Sequence, residues 1–253
     1  MTLLVDGPTG RHFAQFHRDA DTLIESVFVF LEAGLRSSNS VLVIAAADQV
    51  ERLFARLGAG RFHPKSLRDS GQLTVLDAPT IVEQFVTGGV PQWAGFRGTL
   101  APALMRMRSH GRSTRIYSEV ASPLWQAGNT DAAIQLEEFW NGLAQSFQFS
   151  LYCGYTMDTH CETAYAAPLE ELGRTHSDIL GTPEDEQFGV ALDRASKEIF
   201  GISLTQMAGV SRQEGARRFP SGQRTMLWVK RNLPMSTSQL AERARHYFKD
   251  GHA

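Results

Sequence analysis

The chain has 253 residues, of which 42% are hydrophobic and 21% charged, with a formal net charge of −2 at pH 7. These values are typical of a soluble globular protein with one large domain, or one domain and an appendage. No apolar run is long enough to span a membrane, and the first residues lack the pattern of a signal peptide. We therefore expect a cytoplasmic protein that does not associate with membranes.

The charge is distributed unevenly along the chain. Residues 211–253 contain nine Lys and Arg against three Asp and Glu, a balance of +6, which leaves −8 for the other 210 residues. A basic tail on an acidic body suggests that the tail docks on the body or on an acidic partner. The tail residues that we expect to make this interaction are Arg212, Arg217, Arg218, Arg224, Lys230 and Arg231.

The first predicted βαβ unit covers residues 12–47. A short apolar strand near residues 13–16 is followed by a helical stripe that includes Leu23 and Val27, with Asp21 or Thr22 as the helix cap. The continuous apolar run VLVIAAA then predicts a strand buried on both faces. The first turn, HRDAD, has no glycine and no Gly-Lys-Ser/Thr, and its two aspartates would repel a phosphate, so it is not a nucleotide-binding loop.

Strands and helices continue to alternate after this unit. Three more strands are predicted, at residues 73–76, in TRIYSEV and in FSLYCGY, with a long helix at about 131–146 before the last. Five strands joined by helices indicate an α/β fold with a doubly wound, mostly parallel sheet. The composition changes near residues 181–184, and beyond them only helices are predicted. We therefore expect an α/β domain at 1–180 and a basic, all-α region at 181–253.

The carboxyl ends of the strands are where ligands bind in open α/β sheets. The side chains that follow the strands, or that could join them from later segments, are the candidate ligand-binding residues. They are His17, Asp19, Glu119, Trp125, Tyr155 and His176. Glu119 is the most informative, and it has two interpretations. It is either a hydrogen-bond acceptor for a ligand or a residual metal site, or a structural carboxylate that caps a neighbouring turn or pairs with Arg115 or Arg112.

Metal binding and catalysis have little support in the sequence. His12, His17 and His176 could form a metal group with Glu119, but there is no compact ligand motif, so we expect no metal and no cofactor. Cys153 and Cys161 have no zinc-type spacing and are expected to be reduced thiols. No nucleophile motif is present, and we expect a protein that is not an enzyme.

Seven sequence blocks resemble the MEDS domain, a sensory domain named after a dichloromethane-responsive regulator, over about residues 11–180. In order they are HFAQF, FLEAGLRSSNSVLVIA, GQLTVLDA, RIYSEVASPLWQAGN, AIQLEEFWNGLA, FSLYCGY and THSDIL. The resemblance implies a KaiC/RecA-like core without a phosphate-binding loop. It also implies a sensor of small molecules or partner proteins, of the kind found beside histidine kinase, response-regulator or DNA-binding modules.

The favoured hypothesis is a non-catalytic sensor in a two-component or similar signalling pathway. It would bind a small ligand or a signalling protein at the strand ends and relay the change through its helical tail, and a homodimer is left open. One alternative is a transcriptional regulator, because residues 203–219 resemble a helix-turn-helix turn. However, Gly215 and Arg218 stand where that motif needs apolar residues. The other alternative is a degenerate nucleotide-binding protein that uses Glu119.

Overall fold

The computed structural model describes residues 2–209 and 218–250 of the chain. These residues form two compact units. The first unit comprises Met1–Ala14 and Asp19–Thr156, and the second comprises Gln15–Arg18 and Met157–Ala253. Strand β1, His12–His17, contributes its first three residues to the first unit and its last three to the second. The domain boundary predicted at residue 180 stays a prediction.

The first unit alternates strands and helices along the chain. Its helices are α1 Thr2–Asp6, α2 Ala20–Arg36, α3 Ala47–Ala59, α4 Pro64–Asp69, α5 Ala78–Val82, α6 Trp93–Ser109, α7 Ser122–Gln126 and α8 Thr130–Ala144. Its remaining strands are β2 Ser40–Ala45, β3 Leu73–Asp77, β4 Val86–Thr87, β5 Val90–Pro91, β6 Thr114–Ser118 and β7 Ser150–Thr156. All five predicted strands are therefore present, close to their predicted positions.

The main sheet has six strands in the order β3-β2-β6-β7-β1-β8, where β8 is Asp178–Leu180. The pairs β2–β3, β2–β6 and β6–β7 are parallel, which confirms the predicted doubly wound α/β fold. Two elements were not predicted from the sequence: β8, which has only three residues, and the antiparallel hairpin of β4 and β5 around Gly88 and Gly89. Both elements are too short for an alternation of apolar and polar residues to be recognised in the sequence.

Helices cover both faces of the sheet in the first unit. On one face, Phe30 of α2 lies 5.7 Å from the ring of Phe13 and 5.5 Å from that of Tyr152. On the other face, Trp140 of α8 contacts Phe96 of α6 edge-on at 5.2 Å. The central strands are buried throughout because helices pack on both sides of them.

Helix α2 begins two or three residues earlier than the sequence predicted. Its N-cap is Asp19, whose carboxylate accepts the backbone N–H of Thr22 at 2.8 Å. The prediction of Asp21 or Thr22 as the cap was therefore wrong. Asp19, Asp21 and Thr22 all have side chains suited to capping. Residue type alone therefore does not identify the cap, and the end of β1 decides which of them caps the helix.

Arg115 is a buried cation on β6 that closes the C-terminal end of α1. Its guanidinium donates to the backbone carbonyls of Leu4, Val5 and Asp6 at 3.1, 2.8 and 2.9 Å. Burial lowers the pKa of this guanidinium, and the nearby Asp6 partly opposes that shift. A guanidinium among C-terminal carbonyls is favourable because those groups carry the negative end of the helix dipole. Arg115 is thus used structurally and does not pair with Glu119.

We predict that Gly34→Ala destabilises the first unit by about 1–3 kcal/mol, because a Cβ at Gly34 of α2 would lie 2.7 Å from Cδ of Arg115. Gly58→Ala in α3 is the matched control, since its Cβ meets nothing within 4 Å. It should be neutral or add up to about 1 kcal/mol through helix propensity. Urea unfolding of the two variants measures the difference, and equal stabilities would contradict the role given to Arg115.

The second unit contains the tail, whose described residues are helical as predicted. Its elements after β1 are a 3-10 turn at Glu162–Tyr165, α9 Leu169–Thr175, β8, α10 Pro183–Phe200, α11 Leu204–Gly209, α12 Ser221–Asn232, a 3-10 turn at Pro234–Ser236, and α13 Thr237–Asp250. Among the described residues no helix is both long and apolar enough to cross a bilayer.

Asp185 is the polar centre of the second unit. It is 3% exposed and forms a capping box with Thr182 at the start of α10. Its other oxygen, Oδ1, accepts Nε2–H of Gln223 from α12 at 2.9 Å and lies 3.0 Å from Nε2 of His160. His160 in turn stacks on Phe188 of α10 at 4.4 Å. One buried carboxylate thus joins two tail helices to the loop that follows β7.

Candidate functional site

Glu119 lies where two neighbouring strands end. It follows β6 directly, and its backbone N–H donates to the carbonyl of Ile44 on β2 at 2.9 Å. The chain leaves β2 through α3 towards β3 on one side, and leaves β6 through α7 and α8 towards β7 on the other. This reversal is the topological switch point at which open α/β sheets hold ligands.

The Glu119 carboxyl is half-buried and hydrogen-bonded from two sides. The buried Tyr117 hydroxyl donates to its Oε1, and the backbone N–H of Ala46 donates to the carboxyl at the start of α3. Gly154 on β7 leaves room for this arrangement, since a Cβ there would lie 3.0 Å from the Tyr117 hydroxyl oxygen. The position of the carboxyl is therefore fixed by the sheet and by one helix terminus.

Burial raises the pKa of Glu119 from 4.5 to about 7. The hydrogen bonds from Tyr117 and Ala46 oppose this shift, and the negative charge of Asp48 in the first turn of α3 adds to it. Burial dominates because a carboxylate loses most of its hydration there. Near neutral pH the side chain therefore exists in both protonation states, so it can donate or accept a hydrogen bond.

Tyr155 and Trp125 lie on the opposite face of the sheet from Glu119. Tyr152 of β7 contacts Tyr117 at 5.5 Å, and Tyr155 is three residues further along the strand, so it points the other way. Its hydroxyl donates to Oε1 of Glu137 on α8, and its ring meets Trp125 edge-on at 6.4 Å. The structure therefore brings Tyr155 and Trp125 together and separates them from Glu119.

A second polar cluster lies on that opposite face, within the first unit. Nε2 of His12 is 3.2 Å from Oε2 of Glu137 and 3.3 Å from Sγ of Cys153. The Cys153 thiol also donates to Oε2 of Glu137 at 3.2 Å. All three side chains are buried, at 7, 1 and 2% exposure, and we call this cluster the His–Glu–Cys triad. Both cysteines of the chain are free thiols.

The other two candidate ligand residues, His17 and His176, belong to the second unit. His17 ends β1, is buried, and its carbonyl accepts the N–H of Met157 at 2.8 Å. His176 follows α9 and is also buried, with Nδ1 2.9 Å from the carbonyl oxygen of Leu172. Asp19 is the exposed cap of α2 described above.

The basic tail residues differ in their contacts. Arg218 donates to the carbonyls of Gly173, Arg174 and His176, at 3.2 and 2.8 Å for the first two. Lys230 and Arg231 are exposed at the end of α12, and Arg224 is half-buried within that helix. Arg212 and Arg217 lie outside the described residues, as do the other residues from 210 to 217 of the segment that resembles a helix-turn-helix, so that resemblance stays a prediction.

Sequence reasoning did not identify Glu137 or the partners of Cys153. Glu137 lies on the buried side of α8, between Ala133 and Trp140, where an apolar residue is expected. An acid in the apolar stripe of a helix is the signal that could have identified it. Cys153 gave no such signal because a buried thiol is common in strands.

The chain matches the family model described as "MEDS: MEthanogen/methylotroph, DcmR Sensory domain" over residues 11–177. The match contains Glu119, the whole His–Glu–Cys triad and the start of the second unit up to α9. Searches of curated proteins and of solved structures find no match. Since the matched range covers well over half of the 253 residues, the chain belongs to the MEDS family of sensory domains.

Proposed function

We propose that this MEDS protein is a non-catalytic sensor that binds a small polar ligand at Glu119, at the carboxyl ends of β2 and β6. The observation that carries the proposal is the carboxyl itself: half-buried, at the switch point of the sheet, with a pKa of about 7. A group that can either donate or accept a hydrogen bond suits recognition of a small ligand with a hydroxyl, carbonyl or amine group.

The helical tail is our candidate for the output of the sensor. Residues 157–177 belong to the family-matched range and lie in the same compact unit as α10–α13. Within that unit, Asp185 and Arg218 of the tail bind His160 and the carbonyls that end α9. A ligand acts through such a contact only if it prefers one arrangement of the tail over another. We propose that the exposed Lys230 and Arg231 then face a signalling protein.

The native mass of freshly purified full-length protein tests the ligand site. We expect a defined organic surplus over the denatured mass in the wild type and in Glu51→Gln, an exposed acid on α3. We expect none in Glu119→Gln, because the carboxyl that titrates near pH 7 is lost. A surplus that survives Glu119→Gln would place the ligand elsewhere. A wild-type native mass with no surplus over the denatured mass would favour binding of a partner protein over binding of a small ligand.

Limited trypsin digestion with and without the compound so identified tests the relay. The basic tail offers many cleavage sites, and we expect their rate of cleavage to change when the compound is bound. Unchanged cleavage together with confirmed binding would contradict the coupling while leaving the ligand site intact.

A further inference from the structure

The donor atoms of the His–Glu–Cys triad converge on one point. Their three pairwise distances are 3.2, 3.3 and 3.2 Å. Ligand atoms bonded to zinc at about 2.0–2.3 Å with tetrahedral angles lie roughly 3.3–3.6 Å apart. The spacing in the triad is therefore close to that of a coordination shell, although the three residues are far apart in the chain and lie on β1, α8 and β7.

Two neighbouring side chains orient the donors. Oδ1 of Asn141 lies 2.9 Å from Nδ1 of His12, which places the ring proton on Nδ1 and turns the lone pair of Nε2 towards Cys153. The hydroxyl of Tyr155 binds Oε1 of Glu137 and leaves Oε2 for the triad. Such outer contacts to a ligating histidine and carboxylate are typical of metal sites, because they fix the tautomer and the direction of each donor.

We propose that the His–Glu–Cys triad binds a divalent ion of the Zn²⁺ type. The triad supplies at least three of the protein ligands of that ion. Thiolate, imidazole and carboxylate together select zinc over magnesium or calcium, which prefer oxygen ligands only. On binding, the Cys153 thiol loses its proton to solvent and a metal–sulfur bond forms. Because the triad lies on the face of the sheet opposite Glu119, this site is independent of the proposed ligand site.

Without an ion, the triad is a hydrogen-bonded cluster in which the Cys153 thiol donates to Oε2 of Glu137. An ion at the centre would instead accept one lone pair from each of the three donor atoms. The two states are separable by experiment because only one of them contains metal.

The test uses the full chain expressed with added Zn²⁺, since buried ligands are best loaded during folding. Elemental analysis after desalting should give about one zinc per chain. Expression with Co²⁺ should give a thiolate-to-cobalt charge-transfer band in the near ultraviolet. Cys153→Ser should abolish that band, and His12→Ala and Glu137→Gln should lower the metal content at least roughly tenfold. Asn141→Ala, as a positioning change, should weaken binding by about 10–100-fold.

Cys161→Ser is the matched control. Cys161 lies in the second unit, where its thiol donates to Asp158 at 3.1 Å, so this variant should keep both the metal and the band. Wild-type protein that contains no stoichiometric metal after expression with Zn²⁺ would overturn the proposal, whatever the variants do. So would a band that persists in Cys153→Ser and disappears in Cys161→Ser.

Discussion

Asp185→Ala is expected to lower the free energy of unfolding of the second unit by about 3–5 kcal/mol. Asp185 is buried at 3% exposure, and the substitution removes both oxygens of its carboxylate. Thr182 loses its partner in the capping box, a loss worth about 1 kcal/mol. Gln223 and His160 lose an acceptor inside the unit, and buried donors without an acceptor cost about 1–3 kcal/mol each.

Hydrogen exchange of the amides in α10 and α12 measures this effect locally, so it does not depend on how the first unit unfolds. Glu186→Ala is the control, because Glu186 is an exposed acid in the same first turn and should cost less than about 1 kcal/mol. Asp185→Asn keeps the oxygen that faces Gln223, so its loss of unfolding free energy should lie between those of Asp185→Ala and Glu186→Ala. If Asp185→Ala changed protection no more than Glu186→Ala, the buried network would not stabilise the unit.

Glu119→Gln is expected to stabilise the first unit by about 3 kcal/mol at pH 8 and to have little effect at pH 4 to 5. The folded pKa of Glu119 is about 7 against an ordinary value of 4.5, so the folded state holds this proton more tightly than the unfolded state does. Stability is therefore lost as the pH rises from 4.5 to 7, and the full cost is present above 7. Glutamine keeps an acceptor for Tyr117 and never acquires the buried charge.

Urea unfolding of wild type and variant at several pH values between 5 and 8 measures this difference. The matched control is Glu25→Gln, because hydrogen bonding to Arg56 lowers the pKa of Glu25 and places its titration below this range. Its curve should run parallel to that of the wild type from pH 5 to 8. A parallel curve for Glu119→Gln as well would contradict the raised pKa, and a carboxyl carbon NMR titration of Glu119 checks the value directly.

The sequence was sufficient to predict the main elements of the fold because burial patterns are local. Apolar runs such as VLVIAAA and FSLYCGY are strands buried on both faces, and the described residues of the tail after residue 181 are helical, as expected. The family was also predictable, since seven short blocks in order carry it. The three-residue strand β8 was not predictable, because a segment of that length has no period and becomes a strand only beside a partner.

By itself the sequence determined the parallel sheet, the helices of the tail, the lack of a Gly-Lys-Ser/Thr motif between β1 and α2, and the position of Glu119 at a strand end. Only the tertiary structure decided which polar side chains meet. The alternation of side chains along β7 puts Tyr155 and Cys153 on one face and Tyr152 on the other, so the predicted group around Glu119 divides between the two faces of the sheet. His12, Glu137 and Cys153 converge because three distant segments pack against one another, and no spacing along the chain records such a contact.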